Sequence, residues 1–337
     1  MRSSRSAPPI SASSRRERRT QEAVGSVQVH ARPSIPAIWL AATRPKTLGA
    51  SLCPVTMGAA LAWHDGVFAW APVLAAFAGA CLLQVASNFA NDLFDGLRGT
   101  DSRERLGPAR AVASGWVSPL AMGVALAIVL TLASAPAFYL AERAGHVFAL
   151  IGVAGAVSAV FYTAPPFMLG YRGLGDVFVF GFFGPLAVAG TRAACDGAWT
   201  EEALLLGLAP GAIAVALLAV NNLRDRAGDA ASGKRTLAVR YGERFARTQI
   251  AACHAVAMGV PVFAAVLYGL PWTISLASLV AILFLPASES IRRGRDGAAL
   301  NANLVQFGAM LVLYGLAFLA GIAAFELFLR GAAGGAA

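Results

Sequence analysis

The chain has 337 residues, of which 57% are hydrophobic and only 13% charged, about half the roughly 25% of an ordinary soluble domain, so its composition is that of a membrane protein. The net charge of +9 comes from basic residues dispersed through short loops, whereas a nucleic-acid binder gathers them on one soluble face. Four scattered cysteines and four scattered histidines, with no C-x-x-C pair, argue against a zinc site or a disulfide framework.

Residues 1–36 are rich in Ser, Arg and Pro and contain no apolar run. They are expected to be a disordered basic cytoplasmic tail rather than a signal peptide. A transmembrane domain is expected over 37–328 and a short flexible tail over 329–337. Crossing a bilayer takes about 20 apolar residues, and nine such stretches follow: about 47–63, 68–91, 116–140, 147–166, 177–191, 203–223, 249–270, 272–288 and 303–325. Cytoplasmic loops carry the Lys and Arg excess. On alternate sides of these nine segments, 24 of the 27 basic residues share the side of the N-terminus, and only Arg143, Arg192 and Arg330 lie opposite. The expected architecture is an all-α polytopic bundle of about nine helices in a bacterial cytoplasmic (inner) membrane, with a cytoplasmic N-terminus. Its basic inner face suits membrane lipid headgroups or an anionic substrate.

The second apolar stretch ends in LLQVASNFANDLFDGLRGTD, residues 82–101. Carboxylates are a poor way to finish a helix, because the macrodipole places negative charge there, so something positive should compensate them. Asn88, Asp92 and Asp95 stand at i, i+4 and i+7, on one helical face. The pattern recurs in AVALLAVNNLRDRAGDAASGKRTLAVRYG, residues 214–242, where Asn221, Asp225 and Asp229 stand at i, i+4 and i+8. Both faces close inward-running helices, the second and the sixth. A duplicated four-helix unit would set them opposite each other at one end of the bundle.

A single Asn or Asp where a helix meets water is most often a cap or a solvated loop residue. Capping does not call for three such residues down one face at a helix end, twice over. Carboxylates with amide oxygens are hard ligands that suit Mg²⁺, which commonly bridges a few carboxylates to substrate phosphates. The candidate metal ligands are therefore Asn88, Asp92, Asp95, Asn221, Asp225 and Asp229. Asn91, Asp101 and Asn222 beside them, with Arg98, Arg103, Arg110, Lys234 and Arg235, form a candidate diphosphate-binding set. Apolar walls around such a site point to a lipid diphosphate that ionises to an allylic cation, with the metal stabilising the leaving group. Tyr162, Phe161 and Phe167 supply candidate aromatic faces for that cation, although aromatics at a helix end also serve as interface anchors.

These motifs resemble the paired aspartate-rich motifs of the UbiA superfamily of intramembrane aromatic prenyltransferases, from about Ile38 to Phe328. RPKTLGAS (44–51), GYRGLGDVFVFGFFGPLAVAGT (170–191) and GKRTLAVRYG (233–242) are similar to its 1,4-dihydroxy-2-naphthoate branch in menaquinone synthesis. YTAPP (162–166) departs from the Tyr-Thr-Gly-Gly-Pro usual there, which leaves 4-hydroxybenzoate and homogentisate as alternative acceptors. The resemblance implies helices around a central cavity and Mg²⁺-dependent transfer from polyprenyl diphosphate to an aromatic acceptor; where that acceptor is the naphthoate, its carboxylate is lost as carbon dioxide. That carboxylate needs a cation outside the aspartate clusters, and Arg44, Lys46 and Arg172 are the candidates. A non-enzymatic transporter is the alternative from another class, although its polar residues would sit nearer the bilayer midplane.

Overall fold

The computed structural model describes residues 33–99 and 110–334, without the side chains of Lys46 and of residues 329–334. Every regular element among them is helical: α1 (Ile35–Thr43), α2 (Pro45–His64), α3 (Trp70–Arg98), α4 (Pro119–Ala144), α5 (Val147–Phe161), α6 (Gly175–Phe183), α7 (Pro185–Asp196), α8 (Glu201–Arg224), α9 (Arg226–Ala231), α10 (Leu237–Tyr268), α11 (Leu276–Leu283), α12 (Leu285–Arg292) and α13 (Leu300–Gly334). Short 3₁₀ turns, Trp272–Ser275 and Gly297–Ala299, lead into α11 and α13. The chain divides into two units, Met1–Ala37 and Ile38–Ala337, and the candidate site lies wholly in the second.

All nine expected segments are helical, but the count of nine spans is not confirmed. Seven stretches among the described residues are long and apolar enough to cross a bilayer: α3, α4, Gly175–Asp196, α8, α10, Trp272–Arg292 and Gly297–Phe328. Two expected segments fall short: α5, in the fourth, has 15 residues, fewer than the roughly 20 a span takes. α2 has 20, but Thr47, Ser51, Pro54 and Thr56 dilute its apolar character. The ends also differ from expectation. α1 begins at Ile35, inside the stretch expected to be disordered, and α13 runs to Gly334, through most of the expected flexible tail. The rest of both tails, with Asp101 and Arg103, lies outside the described residues.

Local chemistry sets the breaks. Proline opens α2, α4 and α7, where its missing N–H costs nothing. Ser118 Oγ accepts from Ala121 N (3.2 Å) and Thr236 Oγ1 from Val239 N (3.4 Å) at the starts of α4 and α10. Left-handed glycines close α3 (Gly99) and α10 (Gly269). α8 is the central helix, 72% buried over its most apolar stretch against 17% for lipid-facing α4. Leu206 and Ile213 of α8 pack with Met57 and Leu61 of α2, Ile250 of α10, and Phe307, Tyr314 and Phe318 of α13. A second cluster joins Ile38 and Ala42 of α1, Phe89 and Leu93 of α3, Ala111 and Val117 of the turn before α4, and Met122 of α4. Arg192, one residue past the apolar stretch expected over 177–191, is buried in α7 and held by Asp65 (2.7 Å) and Asp196 (2.6 Å).

Candidate functional site

The first motif occupies the last turns of α3, where Asn88, Asp92 and Asp95 are all buried. Asp92 accepts backbone amides on both oxygens, Ala111 N on Oδ2 (3.0 Å) and Val112 N on Oδ1 (2.9 Å), which fastens the turn before α4 to α3. Asn88 Nδ2 donates to Thr43 O (2.9 Å) and Thr47 Oγ1 (3.1 Å), tying α3 to the α1–α2 junction. Gln84 Nε2 approaches Asn88 Oδ1 at 3.5 Å. Asp95 Oδ1 accepts from the Tyr171 hydroxyl at 2.7 Å, while its Oδ2 lies 3.3 Å from Arg110 Nη2 and 3.6 Å from Lys234 Nζ. The positive charge expected opposite this helix end is thus supplied in part by Arg110 and Lys234.

The second motif is not one continuous helix. α8 ends at Arg224, Asp225 has left helical geometry (φ −94°, ψ 5°), and Asp229 belongs to α9. Asp229 N still donates to Asp225 O at 2.8 Å, so the helical spacing carries across the break. The Arg224 side chain turns back over the motif. It donates to Asp225 Oδ1 (2.8 Å) and Oδ2 (2.6 Å), to Asn221 Oδ1 (2.8 Å), and to Asn301 Oδ1 of α13 (2.8 Å).

Lys234 joins the two motifs, its Nζ 3.6 Å from Asp95 and 3.9 Å from Asp229. α3 and α8 are not a closely packed pair, so the motifs meet through loop residues rather than helix packing. Arg98 and Lys234 each lie 4.9 Å from the ring centroid of Tyr171, within cation–π range. Arg235 N donates to Tyr171 O (2.8 Å), and Arg240 donates to Arg172 O (2.6 Å) and Arg235 O (2.9 Å). Loops 162–174 and 232–236 are thereby sewn together over the site. Tyr171→Phe should keep the ring but lose the bond to Asp95, of a kind worth about 1.5–3 kcal/mol. A lower melting temperature in detergent and a raised KM for the anionic substrate are the expected results, and wild-type values for both would remove Tyr171 from the site.

The remaining candidates are placed unevenly. Tyr162 caps α5, and its ring fills the space a Cβ would need at Gly170 and Gly175. Phe161 and Phe167 pair edge to face with each other at 5.2 Å, with Phe167 exposed, so their contact is mutual. Asn222 is buried. Arg172 is exposed and donates to Pro166 O (3.0 Å). Arg44 has left-handed backbone (φ 53°) between α1 and α2. The Lys46 side chain is outside the described set, so these three do not form a demonstrated acceptor pocket. Tyr171 and Arg224 were not among the expected residues. An apolar groove of about 540 Å³ along α10, lined by Ala255, Met258, Val262 and Phe263 among others, carries no polar side chain and is a lipid-facing feature.

Residues 51–311 match the UbiA prenyltransferase family. The chain belongs to this family. It is 37% identical over 291 residues to the 1,4-dihydroxy-2-naphthoate octaprenyltransferase of Mycobacterium tuberculosis, covering 86% of this chain and 97% of that one. Identity to the Escherichia coli enzyme of the same name is 34% over 297 residues, covering 84% and 94%. A UbiA homolog from Archaeoglobus fulgidus bound to DMAPP and Mg²⁺ shares the fold, with a TM-score of 0.62, 18% identity, and coverage of 85% and 99%. The Aeropyrum pernix homolog gives 0.62 at 20% identity, covering 84% and 99%. Membership of this prenyltransferase family, with seven stretches among the described residues long and apolar enough to cross a bilayer, makes the chain an integral membrane protein and sets the transporter alternative aside.

The site of this UbiA family member fits a magnesium ion on its own terms. Among the described residues, no three His, Cys, Asp or Glu side chains gather into a metal cage. Mg²⁺ does not need one, since it is commonly held by one or two carboxylates, waters and substrate phosphates. Asp92 and Asp225 each accept one hydrogen bond per oxygen, and a carboxylate oxygen has a second lone pair. Asn91 Oδ1, on the turn between Asn88 and Asp95, is shielded from solvent and accepts no hydrogen bond among the described residues.

Proposed function

We propose that the protein transfers a polyprenyl group from polyprenyl diphosphate to 1,4-dihydroxy-2-naphthoate, with loss of carbon dioxide, to give demethylmenaquinol for menaquinone biosynthesis. The observation that supports this reading is Lys234 poised between Asp95 and Asp229, because a cation between two acidic motifs suits the binding of a metal-bound diphosphate. The naphthoate acceptor rests on the two relatives named above. The domain is taken as 37–328, in a bacterial inner membrane, with the N-terminus and both motifs on the cytoplasmic side.

In this reading Asn88, Asp92, Asp95, Asn221, Asp225 and Asp229 would hold Mg²⁺, which when bound would supply charge to stabilise the diphosphate leaving group. Lys234, Arg235, Arg98 and Arg110 bind the diphosphate oxygens directly, with Asn91, Asn222 and Asp101 completing the shell. Tyr162 turns an aromatic face to the allylic carbon. The ring carbon bearing the acceptor carboxylate forms the new C–C bond, and the C–carboxylate bond then breaks to release carbon dioxide and restore aromaticity. Arg44, Lys46 and Arg172 orient that carboxylate.

Purified protein with Mg²⁺ and a polyprenyl diphosphate should release diphosphate and carbon dioxide together when the naphthoate is present. A preference for 4-hydroxybenzoate or homogentisate would overturn the acceptor assignment. Among Arg44→Ala, Lys46→Ala and Arg172→Ala, at least one should raise KM for the acceptor with little change for the prenyl diphosphate, since it removes a contact to one substrate only. If all three move both constants equally, or none moves the acceptor's, the recognition scheme is wrong.

A further inference from the structure

Gln84 is a polar residue inside the apolar run of α3, between Leu83 and Val85. A polar side chain at membrane depth is costly and calls for a reason. Gln84 stands one turn before Asn88, so it shares the helical face of the first motif. A common reason is glue between helices, and its nitrogen serves that end: Gln84 Nε2 donates to Thr47 Oγ1 of α2 (3.3 Å) and approaches Asn88 Oδ1 (3.5 Å). Glue does not account for the oxygen. Gln84 is half-buried, and its Oε1 accepts no hydrogen bond among the described residues and, unlike Asn91 Oδ1, is not sealed from approach.

The direction of that amide is dictated by its neighbours. Backbone carbonyls only accept. Thr43 O takes Asn88 Nδ2 (2.9 Å), and Arg44 O takes the Thr47 hydroxyl (2.9 Å). With its one proton committed, Thr47 Oγ1 is left with two lone pairs, which Asn88 Nδ2 (3.1 Å) and Gln84 Nε2 fill. Asn88 likewise turns its oxygen to Gln84. Reversing the Gln84 amide would set its oxygen against two acceptors. The network thus starts at two main-chain carbonyls and ends in one accessible acceptor, Gln84 Oε1.

An accessible acceptor selects a donor. A lone pair repels the diphosphate anion, and the polyprenyl chain has no polar hydrogen to offer. Of the two substrates only a hydroxyaromatic brings one. Position agrees: Gln84 lies eight residues before Asp92, about 12 Å along α3 at helical rise, on the side away from the helix end. The α1–α2 junction that holds Thr47 also carries Arg44 and Lys46, two of the cations assigned above to the acceptor carboxylate. The geometry points to Gln84 as a specificity-determining residue, whose carboxamide oxygen accepts a hydrogen bond from a ring hydroxyl of the aromatic acceptor. The inference rests on the aromatic-prenylation reading above and names the group that recognises the hydroxyl.

The test uses the full chain in detergent with Mg²⁺ and geranyl diphosphate. Acceptor affinity is read for 1,4-dihydroxy-2-naphthoate and for two analogues that each lack one hydroxyl, 1-hydroxy-2-naphthoate and 4-hydroxy-2-naphthoate. It is taken as KM or, for an analogue that does not react, as a competitive inhibition constant. Wild type should bind one analogue about tenfold or more weakly than the dihydroxy acceptor, because that analogue leaves Gln84 Oε1 unpaired. Gln84→Met, close in shape and without a polar head, should weaken the dihydroxy acceptor by a like factor. It should leave that same analogue unmoved and barely change KM for geranyl diphosphate. A purely structural Gln84 would instead weaken every ligand alike. That outcome, or a Gln84→Met protein that discriminates between the hydroxyls as wild type does, overturns the inference. Should Gln84→Met fail to fold, the wild-type comparison decides: equal affinities for all three ligands overturn it. If the enzyme prenylates homogentisate and not the naphthoate, with the Gln84→Met loss seen there, only the naphthoate assignment falls. Naphthoate turnover indifferent to Gln84→Met sinks only this inference.

Discussion

Asp95→Asn should lower kcat/KM for the prenyl diphosphate by about 10²–10³-fold, the scale of losing one preorganised electrostatic contact in an active site. Asp95 is 2% exposed and is the point where the elements of the site converge: Tyr171 from loop 162–174, Arg110 from the turn before α4, and Lys234 from the loop after α9. The Asn variant keeps the shape and one acceptor oxygen for Tyr171, so the missing quantity is charge. In the proposed reading the first motif would lose one of the carboxylates that would hold the metal, and Lys234 would be left with Asp229. Breaking a buried ion pair costs about 3–5 kcal/mol, and the 20% exposure of the Lys234 side chain places this case toward the lower end. Activity and melting temperature should therefore fall together, with activity falling much further. Turnover within tenfold of wild type would remove Asp95 from the metal and diphosphate site.

Asp92 and Asp225 make an instructive contrast with Asp95. Asp92 holds backbone amides of Ala111 and Val112, and Asp225 holds Arg224, so each is also a structural fastening. Their alanine variants mix loss of a ligand with release of a loop or of a buried guanidinium. Asp95 also fastens Tyr171 and buried Arg110, but the Asn substitution keeps its shape and an acceptor oxygen, so what it removes is chiefly charge.

The acidic faces were legible in the sequence because helical period is set by covalent geometry: Asn88, Asp92 and Asp95 fall on one side of any helix that contains them. Lys234 was legible too, as a basic residue just past the second motif, although its bridge to Asp95 lies 139 positions away in the chain and no spacing encodes it. Tyr171 had no signal, since an aromatic in a loop between apolar helices reads equally as an interface anchor. Arg224 was passed over because a basic residue next to an acid is ordinarily a solvated pair, and only the fold shows it buried against Asn301. The use of Asp92 was hidden for a different reason: its partners are backbone amides, which every sequence has. Helix existence was read correctly from apolar runs, whereas the number of spans was not secured. α2 and α5 are helices whose length or polarity falls short of a clear crossing, and apolar runs alone do not separate those cases.

Gly207→Ala should destabilise the protein by at least about 1–3 kcal/mol, the usual cost of overpacking a filled interior, and Gly207→Val should prevent folding. A Cβ at Gly207 would lie 2.5 Å from Pro185 Cα, 2.7 Å from Pro185 N and 2.9 Å from Gly184 C. All three are backbone atoms at the α6–α7 break, so no side chain can swing away to make room. The contact is reciprocal: a Cβ at Gly184 would meet Gly207 O at 2.6 Å, and one at Gly211 would meet Phe180 O at 2.8 Å. The broken helix and α8 thus cross backbone to backbone, as small residues allow between membrane helices. The effect should reach the chemistry as well. Asn221 lies 14 residues farther along α8, about 21 Å at helical rise, so a tilt of about 3° forced at Gly207 moves it by about 1 Å. A misplacement of that size can cost about 10²-fold in rate. Gly259→Ala is the matched control, because a Cβ there meets nothing within 4 Å and alanine is the better helix former. Melting temperature and turnover in detergent distinguish the two sites. A Gly207→Ala protein that melts with wild type would mean that the crossing relaxes freely and does not hold the second motif in place.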